Sequence, residues 1–253
     1  CAGHICFTDG PFMTLAIIGG TGFDQLESME KTRTHKINTV WGSPSDCIYE
    51  GLLGSKKILF LRRHGGERKY PPHKINYRAN IAALEILGAT SVIGTAAVGG
   101  IGIDVGRILI PDQLIDYTHS RESTFFEGGL GPLEHIDFTH PYNSELRKKI
   151  IRAASRKSIK VITSGTYGVT QGPRLETASE IQRLANDGCN IVGMTGMPEA
   201  ALAKEKDMPY ATISVIVNPA AGLTNEELVL SDMLSVLSEG GKTCINILKA
   251  IED

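Results

Sequence analysis

Six short segments carry residue types that could bind an anion or a heterocycle, and most sit beside an apolar run. Gly19-Gly20-Thr21-Gly22 follows Leu15-Ala16-Ile17-Ile18. Successive glycines let backbone N–H groups point into one concavity, and the Thr21 hydroxyl adds a donor. The same glycines also suit a tight turn. The run Lys57–Leu61 leads into Arg62-Arg63-His64-Gly65-Gly66. Two guanidinium groups and an imidazole there could clamp an oxyanion, or could form a solvated basic loop. In Gly94-Thr95-Ala96-Ala97-Val98-Gly99-Gly100 the small side chains allow a ligand, or merely a packed neighbour, to approach the backbone closely. Gly193-Met194-Thr195-Gly196-Met197-Pro198-Glu199 reads as strand, turn and helix start, with Pro198 at the first helical position. Thr195 then stands where helix N–H groups favour anions. Gln171-Gly172-Pro173-Arg174-Leu175-Glu176-Thr177 places a carboxylate before a helix, facing a ligand or complementing the helix dipole. Val217-Asn218-Pro219-Ala220-Ala221-Gly222 ends an apolar run with an amide that needs partners if buried, or that forms a turn before proline. Each signal is ambiguous alone. Four anion signals at strand ends reinforce one another, because ligands of α/β sheets gather outside the strand carboxyl ends.

Other motifs fall short of their patterns. The dinucleotide fingerprint GxGxxG fails because Gln25 stands where the third glycine belongs. Gly241-Lys242-Thr243 lacks the earlier glycine of a phosphate-binding P-loop, since Val236 occupies that place in a helical pattern. His135, Asp137 and His140 are metal-competent at close spacing, but they lie among Phe, Pro and Gly rather than on a helix face, so an ordinary polar loop is the competing reading. We expect no metal site. There is no GxSxG elbow.

The elements that must position these residues alternate along the chain. Strands are expected at Leu15–Ile18, Lys57–Leu61, Ser91–Val98, Arg107–Ile115, Gly165–Thr170, Asn190–Met194 and Ala211–Val217. Helices are expected at Ile75–Leu87, Ser144–Lys157, Thr177–Asn186, Pro198–Lys206 and Glu226–Ile251. The strands are nearly continuous in Ile, Val and Ala, as strands covered on both faces should be. This predicts an α/β fold in one domain spanning 13–253, with no repeat or linker. Residues 1–12 lack a basic n-region, an apolar h-region and a cleavage site, and we expect a non-native or disordered leader there.

Composition narrows the classes further. The 253 residues carry 26 Lys plus Arg against 28 Asp plus Glu, a balance that argues against nucleic-acid binding. Aromatic residues make up 6%, too few for a base-stacking platform along a strand. No stretch reaches the roughly 18–20 apolar residues that span a bilayer. Five scattered cysteines without a CxxC pair suggest neither a disulfide framework nor a zinc ribbon, and so a reduced, cytoplasmic protein.

In order, IIGGTG, RRHG, NYRAN at Asn76–Asn80, TAAVGG, QGPRLET, GMTGMPEAALAKE and VNPAAG resemble the trimeric purine nucleoside phosphorylases, in the methylthioadenosine/methylthioinosine phosphorylase branch. The resemblance runs from Met13 to about Asp253. It implies a single-domain α/β fold whose central mixed β-sheet, partly barrel-like, is flanked by helices. It implies a homotrimer and a reaction with inorganic phosphate as co-substrate and no cofactor. Phosphate would be held by Thr21, Arg63, His64, Thr95, the backbone of Ala96 and Thr195. Met194 would pack under the ribose, while Glu176, Asn218, Pro219 and Ala220 would line the base. Asn218 and His64 would take the catalytic roles. The chemistry suits such a site: cleavage of an N-glycosidic bond builds oxocarbenium character on the sugar and negative charge on the purine. Phosphate beneath the sugar and a donor at N7 stabilise both, without a protein nucleophile or metal.

Two positions bear on the substrate. Adenine-preferring relatives carry aspartate at the position of Asn218 and lack the carboxylate of Glu176. An amide can donate to O6 and N7 of a 6-oxopurine, and Glu176 can accept its N1–H. Leaving either unpaired in a buried site costs on the order of 1–3 kcal/mol. At the sugar end, relatives acting on inosine place a histidine on the C-terminal helix, whereas no histidine follows His140 here. Ser231, Met233, Leu234 and Val236 offer a surface suited to a thioether, or simply the apolar stripe of a helix. His135 matches a family position that reaches the 5′ pocket of the neighbouring subunit. The expected substrate is S-methyl-5′-thioinosine, with inosine, guanosine and methylthioadenosine as alternatives. A metal-dependent hydrolase, a nucleosidase and a non-catalytic nucleoside-binding protein are the competing classes.

Overall fold

A computed structural model of the chain describes residues 14–23, 26, 29–128, 135–224 and 230–252. The expected leader lies outside them. Ten strands form one mixed sheet: β1 (Leu15–Gly19), β2 (Glu30–His35), β3 (Ile48–Leu53), β4 (Lys56–Arg62), β5 (Ser91–Gly100), β6 (Ile108–Leu109), β7 (Gln113–Asp116), β8 (Thr166–Val169), β9 (Cys189–Gly193) and β10 (Tyr210–Pro219). The helices are α1 (Tyr77–Ile86), α2 (Ser144–Arg156), α3 (Ala178–Asn186), α4 (Glu199–Glu205) and α5 (Leu230–Lys249).

Alternation of side chains along a strand sends successive residues to opposite faces. In β1, Ala16 and Ile18 pack with Ile81 and Leu84 of α1 and with Ala200 and Leu202 of α4. Ile17, between them, packs with Ile150 of α2 and Leu237 and Leu248 of α5. Covered on both faces, the central strands have no polar side to keep, which is why their sequences read as unbroken apolar runs.

The sheet runs β2-β3-β4-β1-β5-β9-β8-β7, with β10 pairing β5 and β6. Strand β5 therefore has three neighbours. Parallel β10 follows it from Val92 to Gly100, while β1 pairs only Ser91–Gly94 and antiparallel β9 only Gly99–Gly100. A strand has two edges, so β1 and β9 share one of them. Between their stretches, residues 95–98 of that edge face the opening in which the site lies. A register shift between Ile216 and Asn218 bends β10 beside the same opening, as bulges often do next to functional sites.

Two expectations change. The strand expected over Arg107–Ile115 is two short strands, β6 and β7, separated by a segment that includes Pro111, which has no N–H for a ladder. The β2–β3 hairpin had no counterpart in the sequence reading, because Glu-Lys-Thr-Arg-Thr-His is almost wholly exposed and carries no apolar alternation. Among the described residues no helix is long and apolar enough to cross a membrane.

Candidate active site

One cleft of about 230 Å³ gathers most of the expected residues at the strand ends. Thr21, Arg63, His64, Ala96 and Thr195 line it, as do Met194, Glu176, Asn218, Ala220 and Met233. Thr95, fully buried, and Pro219, partly exposed, are not part of its lining. His135 is exposed and outside the lining. The side chain of Ser231 lies outside the described residues.

The residues expected to hold an anion rest on buried polar contacts. The Gly20 N–H donates to Thr95 Oγ1 at 3.2 Å, and the Thr95 hydroxyl donates to the Ile18 carbonyl at 3.4 Å. Gly20 is required for close approach: a Cβ there would stand 2.8 Å from the Thr95 carbonyl oxygen and 2.9 Å from Arg63 Nη1. Thr95 is fully buried, and by accepting from the Gly20 N–H it supports the Gly20-Thr21 turn from behind, while its own hydroxyl makes only a weak approach to the Ile18 carbonyl. The His64 Nδ1 lies 2.9 Å from the Tyr70 carbonyl. A carbonyl only accepts, so Nδ1 carries the proton and the ring orientation is set.

Of the two readings open for Arg62-Arg63-His64, a clamp built from both guanidinium groups does not assemble. Arg62 and Arg63 are consecutive at a strand end and point to opposite sides. Arg62 bonds Asp46 Oδ2 at 2.5 Å and the Tyr49 hydroxyl at 2.8 Å. Arg63 is 1% exposed and donates from Nε and Nη2 to the two carboxylate oxygens of Glu199, each at 2.7 Å. Its Nη1 donates to the Thr95 carbonyl at 2.7 Å and its Nη2 to the Ile18 carbonyl at 3.3 Å. Four of its five N–H groups are thus used inside the protein, and the fifth, on Nη1, lies beside Gly20. Burial pulls the guanidinium pKa down, but the Glu199 charge and hydrogen bonds leave it above its ordinary value. Glu199 also accepts from the Tyr210 hydroxyl at 2.7 Å, and burial followed by the Glu199 charge raises that phenol.

The second group of residues is more open. Met194 Sδ would be 2.4 Å from a Cβ on Gly172, whose φ of +60° favours glycine as well. Glu176 Oε1 accepts from the Thr170 hydroxyl at 2.6 Å. Asn218 is 8% exposed and donates from Nδ2 to the Pro219 carbonyl at 2.6 Å. The amide thus has one N–H left for a ligand, and donation to two ligand atoms at once requires that internal bond to open. Met233, Leu234 and Leu237 of α5 give the cleft an apolar wall.

Arg121 escaped the sequence reading. It lies in a loop and donates to the carbonyls of Met194, Met197, Thr170 and Gln171 and to the Gln171 side chain, tying the ends of β8 and β9 to the start of α4. A lone arginine in His-Ser-Arg-Glu-Ser has no periodicity or motif to mark it. Glu199 had no role in the sequence reading beyond closing the Gly193–Glu199 helix-start segment. His135, Asp137 and His140 form no metal cluster: among the described residues no three His, Cys, Asp or Glu side chains could hold an ion together.

Residues 14–251 match the Phosphorylase superfamily over nearly the whole chain. The chain belongs to that superfamily. It is 49% identical over 226 residues to a probable S-methyl-5′-thioinosine phosphorylase of Xanthomonas campestris, covering 88% of this chain and 90% of that protein. It is 40% identical over 243 residues to the 6-oxopurine nucleoside phosphorylase of Pyrococcus furiosus, covering 93% and 91%. The solved structure of methylthioadenosine phosphorylase from Schistosoma mansoni in complex with adenine superposes with a TM-score of 0.90 at 30% identity, over 95% of this chain and 93% of that one. Membership makes the chain a pentosyl-transferring phosphorylase of nucleosides, with phosphate as co-substrate.

Proposed function

We propose that the chain catalyses phosphorolysis of a 6-oxopurine nucleoside, S-methyl-5′-thioinosine by preference, giving hypoxanthine and 5-methylthioribose 1-phosphate. The observation that carries this reading is the meeting of Glu176 and Asn218 in the cleft that also holds Thr21, His64 and Thr195. Glu176 accepts N1–H, which a 6-oxopurine has and a 6-aminopurine lacks. The apolar wall of Met233, Leu234 and Leu237 suits a methylthio group better than a 5′-hydroxyl. Both readings agree with the names of the relatives above.

Phosphate rests among the Thr21 hydroxyl, His64, the Ala96 backbone and Thr195, with the remaining Arg63 N–H behind Gly20. A phosphate oxygen forms a bond to C1′ as the C1′–N9 bond breaks. The bonding pair passes to the purine, which takes up through solvent the proton that the new phosphate monoester gives up, and the Asn218 N–H stabilises the charge developing at N7. Met194 packs under the sugar while it carries cationic character. No protein nucleophile forms a bond, so the rate comes from placement and from dipoles already aligned. We place the enzyme in the cytoplasm as a homotrimer, in which His135 would reach a neighbour's 5′ pocket; light scattering of the purified chain tests the trimer.

A general inosine and guanosine phosphorylase is the second reading, favoured by the 40% identical 6-oxopurine relative. The deciding experiment measures base release from methylthioinosine, methylthioadenosine and inosine, with and without phosphate. Phosphate-dependent release fastest from methylthioinosine is the expected result. Faster inosine turnover would move the assignment to the second reading, and preference for methylthioadenosine would overturn the roles of Glu176 and Asn218.

A further inference from the structure

We propose that Thr170 is the positioning residue that sets base specificity by orienting Glu176. This rests on the reading of Glu176 as the acceptor of the purine N1–H. Thr170 directly follows β8, and its backbone N–H donates to the Gly193 carbonyl at 2.8 Å, so its own position is fixed by the sheet. Its hydroxyl reaches Glu176 Oε1 at 2.6 Å, with a weaker approach to the Gly193 carbonyl at 3.3 Å.

Glu176 has no ion pair among the described residues, because the neighbouring Arg174 pairs with Glu180 instead. The carboxylate therefore takes its direction from the Thr170 hydroxyl. Glutamate has three rotatable side-chain bonds, and its last torsion is broad when nothing holds it. One donor on Oε1 selects one rotamer and leaves Oε2 as the oxygen presented to a base. An oriented carboxylate discriminates in both directions. It accepts from the N1–H of a 6-oxopurine and meets the N1 lone pair of a 6-aminopurine unfavourably. A wandering carboxylate does neither well, since it can turn to water instead.

The test compares Thr170→Val, which keeps shape and deletes the donor, with Thr170→Ser, which keeps the donor. The readout is the ratio of kcat/KM for methylthioinosine to that for methylthioadenosine, together with the KM for phosphate. Thr170→Val should lower the ratio about tenfold, the effect of one hydrogen bond to a charged group. Phosphate KM should stay unchanged, and Thr170→Ser should restore the ratio. A merely structural role would lower both substrates together and leave the ratio where it was, which overturns the proposal. Thr170→Ala repeats the comparison should the valine variant fold poorly, with the same outcomes. Glu176→Gln separates the two levels of the argument. If it lowers the ratio while the Thr170 variants do not, the positioning role fails alone; if it too leaves the ratio unchanged, the reading of the base pocket fails with it.

Discussion

Arg63 and Glu199 stand 136 residues apart in sequence and form a bidentate pair, 1% and 0% exposed, directly behind the Gly20-Thr21 turn. The pair neutralises itself, so its worth is less as an attractive charge for phosphate than as a fixed frame. Glu199 orients the guanidinium, and the guanidinium holds the Thr95 and Ile18 carbonyls. Removing one partner leaves a buried charge without compensation. Glu199→Gln or Arg63→Met should therefore cost about 3–5 kcal/mol of stability, whereas exchanging both for apolar residues of similar volume should recover much of that loss. Urea unfolding of the two single variants and the double one checks this. Single variants as stable as the parent would mean that the pair is not closed in solution.

That pair also shows where the sequence was readable. Arg63 was visible as a basic residue at a strand end, and Glu199 only as the close of a helix-start segment. Their contact was not, because it depends on the β1–β5–β10 arrangement, and nothing local in a sequence reports long-range strand order. The central strands and all five helices were legible from period and length, since burial on both sheet faces leaves continuous apolar runs. The β2–β3 hairpin was hidden because its first strand is exposed and polar. Of the two readings open for Arg62-Arg63, a clamp shared by both guanidinium groups is not the one that forms, because neighbours on a strand face opposite ways and Arg62 turns to Asp46 and Tyr49.

Thr95 tests whether the turn that carries Thr21 is held from behind. Thr95→Val keeps the volume but leaves the buried Gly20 N–H unpaired, at a cost of about 1–3 kcal/mol. The turn should relax, raising KM for phosphate about tenfold with little change in KM for nucleoside. Steady-state kinetics with each substrate varied in turn checks it. A rise in the nucleoside KM instead would place Thr95 on the sugar side of the site.

Arg121 should resist replacement by lysine. Its planar fork reaches four carbonyls on two segments, Thr170 with Gln171 and Met194 with Met197, which a single ammonium on a flexible stem cannot match. Arg121→Lys should lower kcat/KM for nucleoside by about tenfold or more, because Met194 and the Thr170–Glu176 loop lose their common anchor. Arg121→Ala should in addition cost about 2–3 kcal/mol of stability. Melting curves and kinetics on both variants decide the matter. Full activity in Arg121→Lys would show that charge alone, and not the fork, is what the loop needs.

Asn218 gives the sharpest chemical test of the base pocket. Its amide has one N–H to offer a ligand and one bound to the Pro219 carbonyl. Aspartate at the same place removes the donor and supplies a second acceptor beside the cleft. A 6-oxopurine then faces acceptor against acceptor at O6 and N7, while the amino group of a 6-aminopurine gains a partner. Asn218→Asp should shift the kcat/KM ratio from methylthioinosine toward methylthioadenosine by about 10–100-fold, the range expected for one unpaired polar group in a buried site. The shift should add to that of Glu176→Gln unless the two side chains touch the same base edge, in which case the double variant falls short of the sum. A ratio unmoved by Asn218→Asp would place the purine elsewhere in the cleft and transfer the specificity role to another part of its wall.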